Sequence, residues 1–315
     1  MEKIKLGISA CLLGENVRYD GGHKLDRFLR ETLGQYVEYV AVCPEVECGL
    51  GVPRESMHLE GEPGAVRLLT TRAKVDMTKR MVSWAQKRVR ELEKEDLCGF
   101  IFKSDSPSSG MERVKIYREN KMPVKQGVGI FAGIFMGHFP LLPVEDEERL
   151  HNPELRENFI ERIFALKRWR ETLREKKDRK SLIDFHAAHK LLILAHSPKH
   201  YRLMGRLVAA QKNVPAQQVR KEYQELLLEA LSLQATPKKH VNVLQHMMGY
   251  FKKQLSDDEK KELLEIIVKY QKGYVPLIVP VSLLGRYVRK YNEPYLKAQT
   301  YLNPHPAELK LRNHV

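Results

Sequence analysis

The 315-residue sequence predicts an α/β domain built on a Rossmann-like parallel sheet, followed by an all-α helical domain. Three observations carry that reading. Before about residue 148, short apolar segments alternate with an amphipathic helical one, the pattern of parallel strands joined by crossovers. After that point the apolar positions recur at helical spacing almost throughout. Charge divides in the same region: residues 1–150 hold 23 Lys and Arg against 23 Asp and Glu, whereas residues 151–315 hold 31 against 17. The whole net charge of +14 therefore lies in the second half. The expected domains are 1–148 and 149–315, joined near PLLP and the acidic run EDEE.

Each element follows from its own residues. KIKLGISACLL and VEYVAVCPEV are short apolar segments, stopped by Gly14 and by Pro44 with two following glycines, and both read as strands. MTKRMVSWAQKRVRELEKED is an amphipathic helix between strands, and LCGFIFKS is a third strand. GVGIFAGIFMGHFP opens as a loop and continues as a helix. In the second half Thr236 with Pro237 opens a helix, because proline suits the first helical position. Ser256 and Glu259 form a capping box for a helix over 257–272, which Gly273 ends.

A parallel sheet collects ligands at the carboxyl ends of its strands. Cys11, Cys43 and the loop KSDSPSSG each follow an apolar strand within a few residues, so they are expected to converge at one edge. The N-terminus has no long apolar stretch with a cleavage site, and no apolar run reaches 18 residues, so a cytoplasmic protein without a membrane partner is expected. In that compartment thiols serve metals or catalysis more often than bridges. Only Cys43 and Cys48 approach the spacing of a paired metal motif, and Cys11 and Cys98 are solitary. Glycines and charged groups surround Cys11, Cys43 and Cys48, which is poor company for core packing. Thiolate ligation of iron or zinc is the expected use.

The segments SACLLGENVRYDGG, CPEVECGLGVPRE and KSDSPSSG, followed by GVGIF, resemble the 2-thiouracil desulfidase domain over roughly residues 1–145. The helical half resembles the domain that follows it in longer relatives, among them desulfidases of 4-thiouridine in tRNA. The resemblance implies a 4Fe-4S cluster held by three cysteines, with one iron open to the sulfur of a thiolated pyrimidine and no net redox change. It makes Glu45 the acid/base carboxylate and Ser106 the catalytic serine, with Lys103 offsetting charge. In the simpler pattern the loop reads SPSCG, so Ser109 stands where the third thiolate is expected. The additional thiol Cys48 is taken as its replacement, giving Cys11, Cys43 and Cys48 as cluster and metal ligands. Cys98 is the rival, with burial in the sheet as its expected fate.

The remaining polar residues give weaker expectations. Asp20, Gly21 and Gly22 form a turn over the site, and Arg18 or Arg54 contacts a phosphate or a surface carboxylate. His186, His189 and His196 have helical spacing that admits a metal, although buried or surface helix positions are the commoner use. Lys238, Lys239, His240, Lys252, Lys253, Arg286, Arg289 and Lys290, interleaved with Tyr250, Phe251, Tyr287 and Tyr291, suit RNA phosphates and unstacked bases, unless the aromatics face the core. The partner expected of the basic half is thiolated tRNA. Desulfidation of free thiouracil or a thionucleoside, and RNA binding with a structural metal, are the alternatives.

Overall fold

A computed structural model of the chain describes residues 3–118, 121–175, 178–210 and 215–314. It divides into two compact units, Met1–Asn152 and Pro153–Val315.

The first unit holds two four-stranded sheets. One is wholly parallel, with β1 (Ile4–Ser9) between β2 (Val37–Val42) and β5 (Phe100–Phe102), and β8 (Val144–Asp146) beyond β5. The chain leaves β1 toward β2 and later crosses to β5 on its other side. That reversal of direction opens a crevice at the carboxyl ends of β1 and β5. The second sheet is mixed: β3 (Met57–Glu62) forms a hairpin with β4 (Ala65–Thr70), and β6 (Val114–Arg118) pairs parallel to β3 and antiparallel to β7 (Lys121–Gly127). This sheet was not among the sequence expectations. Its signal is the Pro63-Gly64 turn between two strand-length segments, with Gly64 at φ 90°.

Two helices cover the parallel sheet. Helix α2 (Thr78–Glu93) buries Met81, Ala85, Val89 and Leu92, one face at intervals of three and four residues. Helix α3 (Ile130–His138) brings Phe131 and Phe135 onto Phe100 and Phe102, with ring centroids 4.7–6.2 Å apart. The packing leaves no room above β1 at Gly7, where an added Cβ would lie 2.2 Å from the Phe100 ring.

The second unit is helical. Helices α4 (Pro153–Glu175), α5 (Arg179–His196), α6 (Pro198–Ala209) and α7 (Ala216–Ser232) pack around Trp169, Phe185 and Tyr223. Helix α8 (Pro237–Tyr250) begins at Pro237, and α9 (Asp257–Gln271) begins with both hydrogen bonds of the Ser256–Glu259 capping box. Helix α10 (Ile278–Lys290) packs on both. The three histidines go to separate core partners: His186 Nδ1 lies 3.2 Å from the Tyr223 hydroxyl, His189 stacks on Phe185, and His196 lies between the Leu233 carbonyl and Glu161.

The interior of this unit carries a charge network. Arg312 donates to Glu161 at 2.8 Å and to Glu157 at 3.3 Å, and His196 Nε2 lies 2.9 Å from Glu161. Burial would raise the Glu161 carboxyl, but the His196 and Arg312 contacts override it and hold the group well below the usual carboxylate range. Burial, reinforced by the Glu161 charge, pushes Glu157 up instead.

Two predictions follow from this packing. Gly7→Ala forces a methyl group into an immobile aromatic cluster, so denaturant unfolding of the first unit should show a loss of about 1–3 kcal/mol; an unchanged midpoint would mean that the Phe100 ring has room to move. The folded Glu157 carboxyl titrates above its unfolded range. The neutral carboxyl is favoured in the fold, so this contribution is complete below the ordinary carboxylate range and is lost as pH rises through the raised value. Glu157→Gln should therefore match wild type in acid and melt higher at alkaline pH. Parallel melting curves across that range would assign the pH dependence to another group.

Candidate active site

The site is built at the carboxyl edge of the parallel sheet. After β1 the chain makes a single 3₁₀ turn, Ala10–Leu13, that ends at Gly14 in the left-handed region. After β2, Cys43 is the N-cap of the short helix α1 (Pro44–Glu47), with Pro44 at its first position. After β5 the chain enters the serine loop. That loop is fixed by helix α3, whose first N–H groups donate to the Pro107 and Ser108 carbonyls at 2.9–3.2 Å. Gly129 N–H donates to Gly110 O at 2.8 Å, and a Cβ at Gly129 would come within 2.5 Å of the Ser108 backbone. Glycine is therefore required for the close approach.

These segments line one cavity of about 330 Å³, a volume suited to a small ligand. Cys11, Cys43, Glu45, Arg18, Arg54, Lys103, Ser106 and Ser109 are on its wall, together with Glu55–Met57 at the start of the second sheet. The structure thus brings together two of the expected ligands, Cys11 and Cys43, with all three expected catalytic residues. Cys48 and Cys98 are not on this wall. Cys48, the C-cap of α1, lies within the apolar cluster of Leu59, Leu68, Met81, Val114 and Ile116, and its Sγ is 3.3 Å from the Glu45 carbonyl. Cys98 is buried before β5 begins, at the opposite end of the sheet from the cavity.

Glu45 is the hub of the polar contacts. The Ser108 hydroxyl donates to its Oε1 at 2.6 Å, Cys43 Sγ lies 3.6 Å from its Oε2, and an Arg54 nitrogen lies 3.9 Å from the same oxygen. Ser108 has one hydroxyl proton and directs it to the carboxylate, so across the 3.0 Å contact between Ser106 and Ser108 it is Ser106 that donates. Ser106 in turn accepts the backbone N–H groups of Ser108 and Ser109 at 3.3 and 3.0 Å. The result is a directed chain from Ser106 through Ser108 to Glu45. Ser108 was missed in the sequence, where it is one of three serines around a proline. Its total burial beside a carboxylate could not be read there.

Lys103 is committed elsewhere on the wall. Its ammonium pairs with Glu147 and also donates to the Ser104 carbonyl at 3.0 Å. Burial pushes the Cys11 thiol up to about 11, against the opposing charges of Lys103 and Arg18, and pushes the Cys43 thiol up to about 12. Both are therefore protonated near neutral pH until a metal displaces the proton. Arg18 and Asp20 lie 3.8 Å apart, and the Asp20 carboxylate accepts the Gly22 N–H, which closes the expected turn.

In the second unit the basic and aromatic residues separate. Phe251 and Tyr287 are buried, so these two face the core; Tyr250 is exposed and stacks on Tyr295. His240 is buried against the Tyr301 hydroxyl, and Lys239 donates to the His196 and Gln234 carbonyls. Lys238, Lys252, Lys253, Arg286, Arg289 and Lys290 are exposed. Phe251 packs on Tyr287 and Tyr291, which draws Lys252 and Lys253 toward the cations of α10. No helix among the described residues is long and apolar enough to cross a membrane.

Comparison with known proteins divides the chain in the same order. Residues 6–147 match the 2-thiouracil desulfurase family, and residues 190–306 match a family described as protein of unknown function (DUF1722). The uncharacterized protein YbgA of Escherichia coli K12 is 32% identical over 153 residues, 48% of this chain and 90% of YbgA. The uncharacterized protein YbbK of Bacillus subtilis 168 is 29% identical over 108 residues, 33% of this chain and 71% of YbbK. Among solved structures, the 4Fe-4S-dependent thiouracil desulfidase TudS (DUF523Vcz) is 31% identical, covering 49% of this chain and 96% of its own, with a TM-score of 0.40. The chain belongs to the family of YbgA, and joins a 2-thiouracil desulfurase domain to a DUF1722 domain.

Proposed function

We propose that this protein is an iron-sulfur desulfidase that converts thiolated uridine in tRNA, 4-thiouridine in particular, to uridine and sulfide. One observation carries the reading: two thiols, Ser106 and Glu45 share the wall of a single cavity, the last two joined through the buried Ser108, within a domain matched by the 2-thiouracil desulfurase family. The overall change replaces C=S and water by C=O and hydrogen sulfide, and no electrons are transferred.

Cys11 and Cys43 fit a soft iron centre, since both thiols open on the cavity from rigid turns. A bound 4Fe-4S cluster with one open iron would supply a Lewis acid suited to thiocarbonyl sulfur. The other steps belong to the chain. Glu45 takes a proton from the attacking water and returns one to the ring nitrogen or the departing sulfur. Ser108 holds Glu45 by Oε1, so its Oε2 stays on the side of Cys43 and Arg54. Ser106, bound by two backbone N–H groups, donates to Ser108 and so fixes the Ser108–Glu45 contact from the cavity wall. Lys103, held by Glu147, places a fixed positive charge on the wall. The exposed cations of α8–α10 would meet phosphate through long-range attraction.

Sulfide release from thiolated tRNA and from free 2-thiouracil, measured anaerobically, tests the proposal. Glu45→Gln should leave iron content unchanged and lower turnover by about 10²-fold or more, because it removes a proton carrier and no ligand. Loss of iron in that variant would make Glu45 structural. Ser108→Ala should give a smaller fall in kcat, also without loss of iron. A Lys252→Glu, Arg289→Glu double variant should lower kcat/KM for thiolated tRNA by about tenfold or more and steepen no salt dependence for the free base. An equal effect on both substrates would remove tRNA from the reading and leave thiouracil as the substrate.

A further inference from the structure

The cavity wall presents a donor set that differs from three cysteines. Two thiols line it, Cys11 and Cys43, each from a turn that follows a parallel strand. The other two cysteines are directed elsewhere: Cys48 into the apolar cluster against the second sheet, and Cys98 to the far end of the parallel sheet. The third strand-following segment contributes serines, and all but one of those on the wall are engaged. Ser9 accepts the Lys103 N–H, Ser56 pairs with Thr71, and Ser104 pairs with Glu147. Ser106 is taken by two backbone donors and Ser108. Among the described residues, only the Ser109 hydroxyl of this group has no hydrogen-bond partner, although Ser109 is 3% exposed. Ser109 lines the cavity, so that oxygen keeps its lone pairs for a ligand there.

We propose that Ser109 is the third protein ligand of the iron centre, which is therefore held by two thiolates and one serine oxygen. This rests on the desulfidase reading above. Ligation forms an iron–oxygen bond and breaks the Ser109 O–H bond, the proton passing to solvent; nothing is oxidised or reduced. The loop can present that oxygen rigidly, because α3 binds the Pro107 and Ser108 carbonyls and Gly110 N–H binds the Ser106 carbonyl at 2.8 Å. Oxygen is a harder donor than thiolate, so iron at this corner is held more weakly than at Cys11 or Cys43. The resulting centre gives up iron readily, and a thiol at position 109 would close that weak corner.

Anaerobic reconstitution of the full chain with ferrous iron and sulfide provides the test. Iron and acid-labile sulfide per chain are measured, together with the rate of iron loss to a chelator. The comparison set is wild type, Ser109→Ala, Ser109→Cys, Cys48→Ser and Cys11→Ser, and the melting temperature of each iron-free protein verifies the fold. Ser109→Ala should lose iron to the chelator about tenfold faster than wild type or fail to load, on the scale seen when a ligand's supporting group is removed. Ser109→Cys should lose it about tenfold more slowly, and Cys48→Ser should match wild type. Iron loss in Cys48→Ser as severe as in Cys11→Ser, with Ser109→Ala unchanged, would make Cys48 the ligand and overturn the proposal. Loading of Ser109→Cys alone, with an iron-free wild type, would also overturn it, because serine would then occupy the position without binding. Failure of every variant to load would refute the desulfidase reading itself.

Discussion

The first-turn N–H groups of α3, bound to the Pro107 and Ser108 carbonyls, are the constraint on which the candidate site depends. A helix begins with backbone donors that have no partner inside the helix, and here a loop supplies the acceptors in place of a capping side chain. The exchange fixes both partners. The helix gains its N-terminal hydrogen bonds and lays Phe131 and Phe135 on the sheet, while the loop gains a single conformation against the carboxyl ends of the strands. Ser108 can then reach Glu45 from a different loop, and Ser109 can line the same cavity as Cys11 and Cys43. Gly129 makes the approach possible, since any side chain there would meet the Ser108 backbone.

Much of this was legible in the sequence, because the signals were local. Glycine and proline after apolar segments mark the ends of β1 and β2, and the rule that parallel sheets bind at their carboxyl ends places Cys11, Cys43 and the serine loop together. The capping box of α9 and the proline start of α8 are local too, and both are present. What the sequence did not disclose was direction. Cys43 and Cys48 are five positions apart around a short helix, and the residues between them give no sign that one thiol faces the cavity and the other an apolar cluster. The apolar cluster belongs to the second sheet, whose strands β3 and β6 are more than 50 residues apart, so its existence is a long-range fact. The hydroxyl contacts of Ser106, Ser108 and Ser109 are of the same kind: three similar side chains in four residues, assigned three environments by packing.

The two units solve the problem of buried polarity differently. In the helical unit Arg312 and His196 hold the Glu161 carboxylate inside the core, so removing one of these three leaves a buried charge short of its partner, while the neighbouring Glu157 is favoured in its neutral form. In the first unit the polar groups at the cavity are completed only in part. The Glu45 chain is internally satisfied, yet Cys11, Cys43 and Ser109 line an open cavity.

Incomplete satisfaction of this kind is what a ligand site requires, because donors that are already paired have little to offer a metal or a substrate. The distribution of commitments around the cavity is therefore informative in itself. Lys103 and Ser104 are tied to Glu147, Ser106 and Ser108 are tied to Glu45, and Glu55 takes backbone N–H groups of the β4–α2 connection. These residues can orient and exchange protons while holding their positions. The groups left with capacity to bind come from three separate strand ends, which is the geometry needed to surround a centre from several sides. The parallel sheet supplies that geometry, and the serine loop decides the chemistry of its third side.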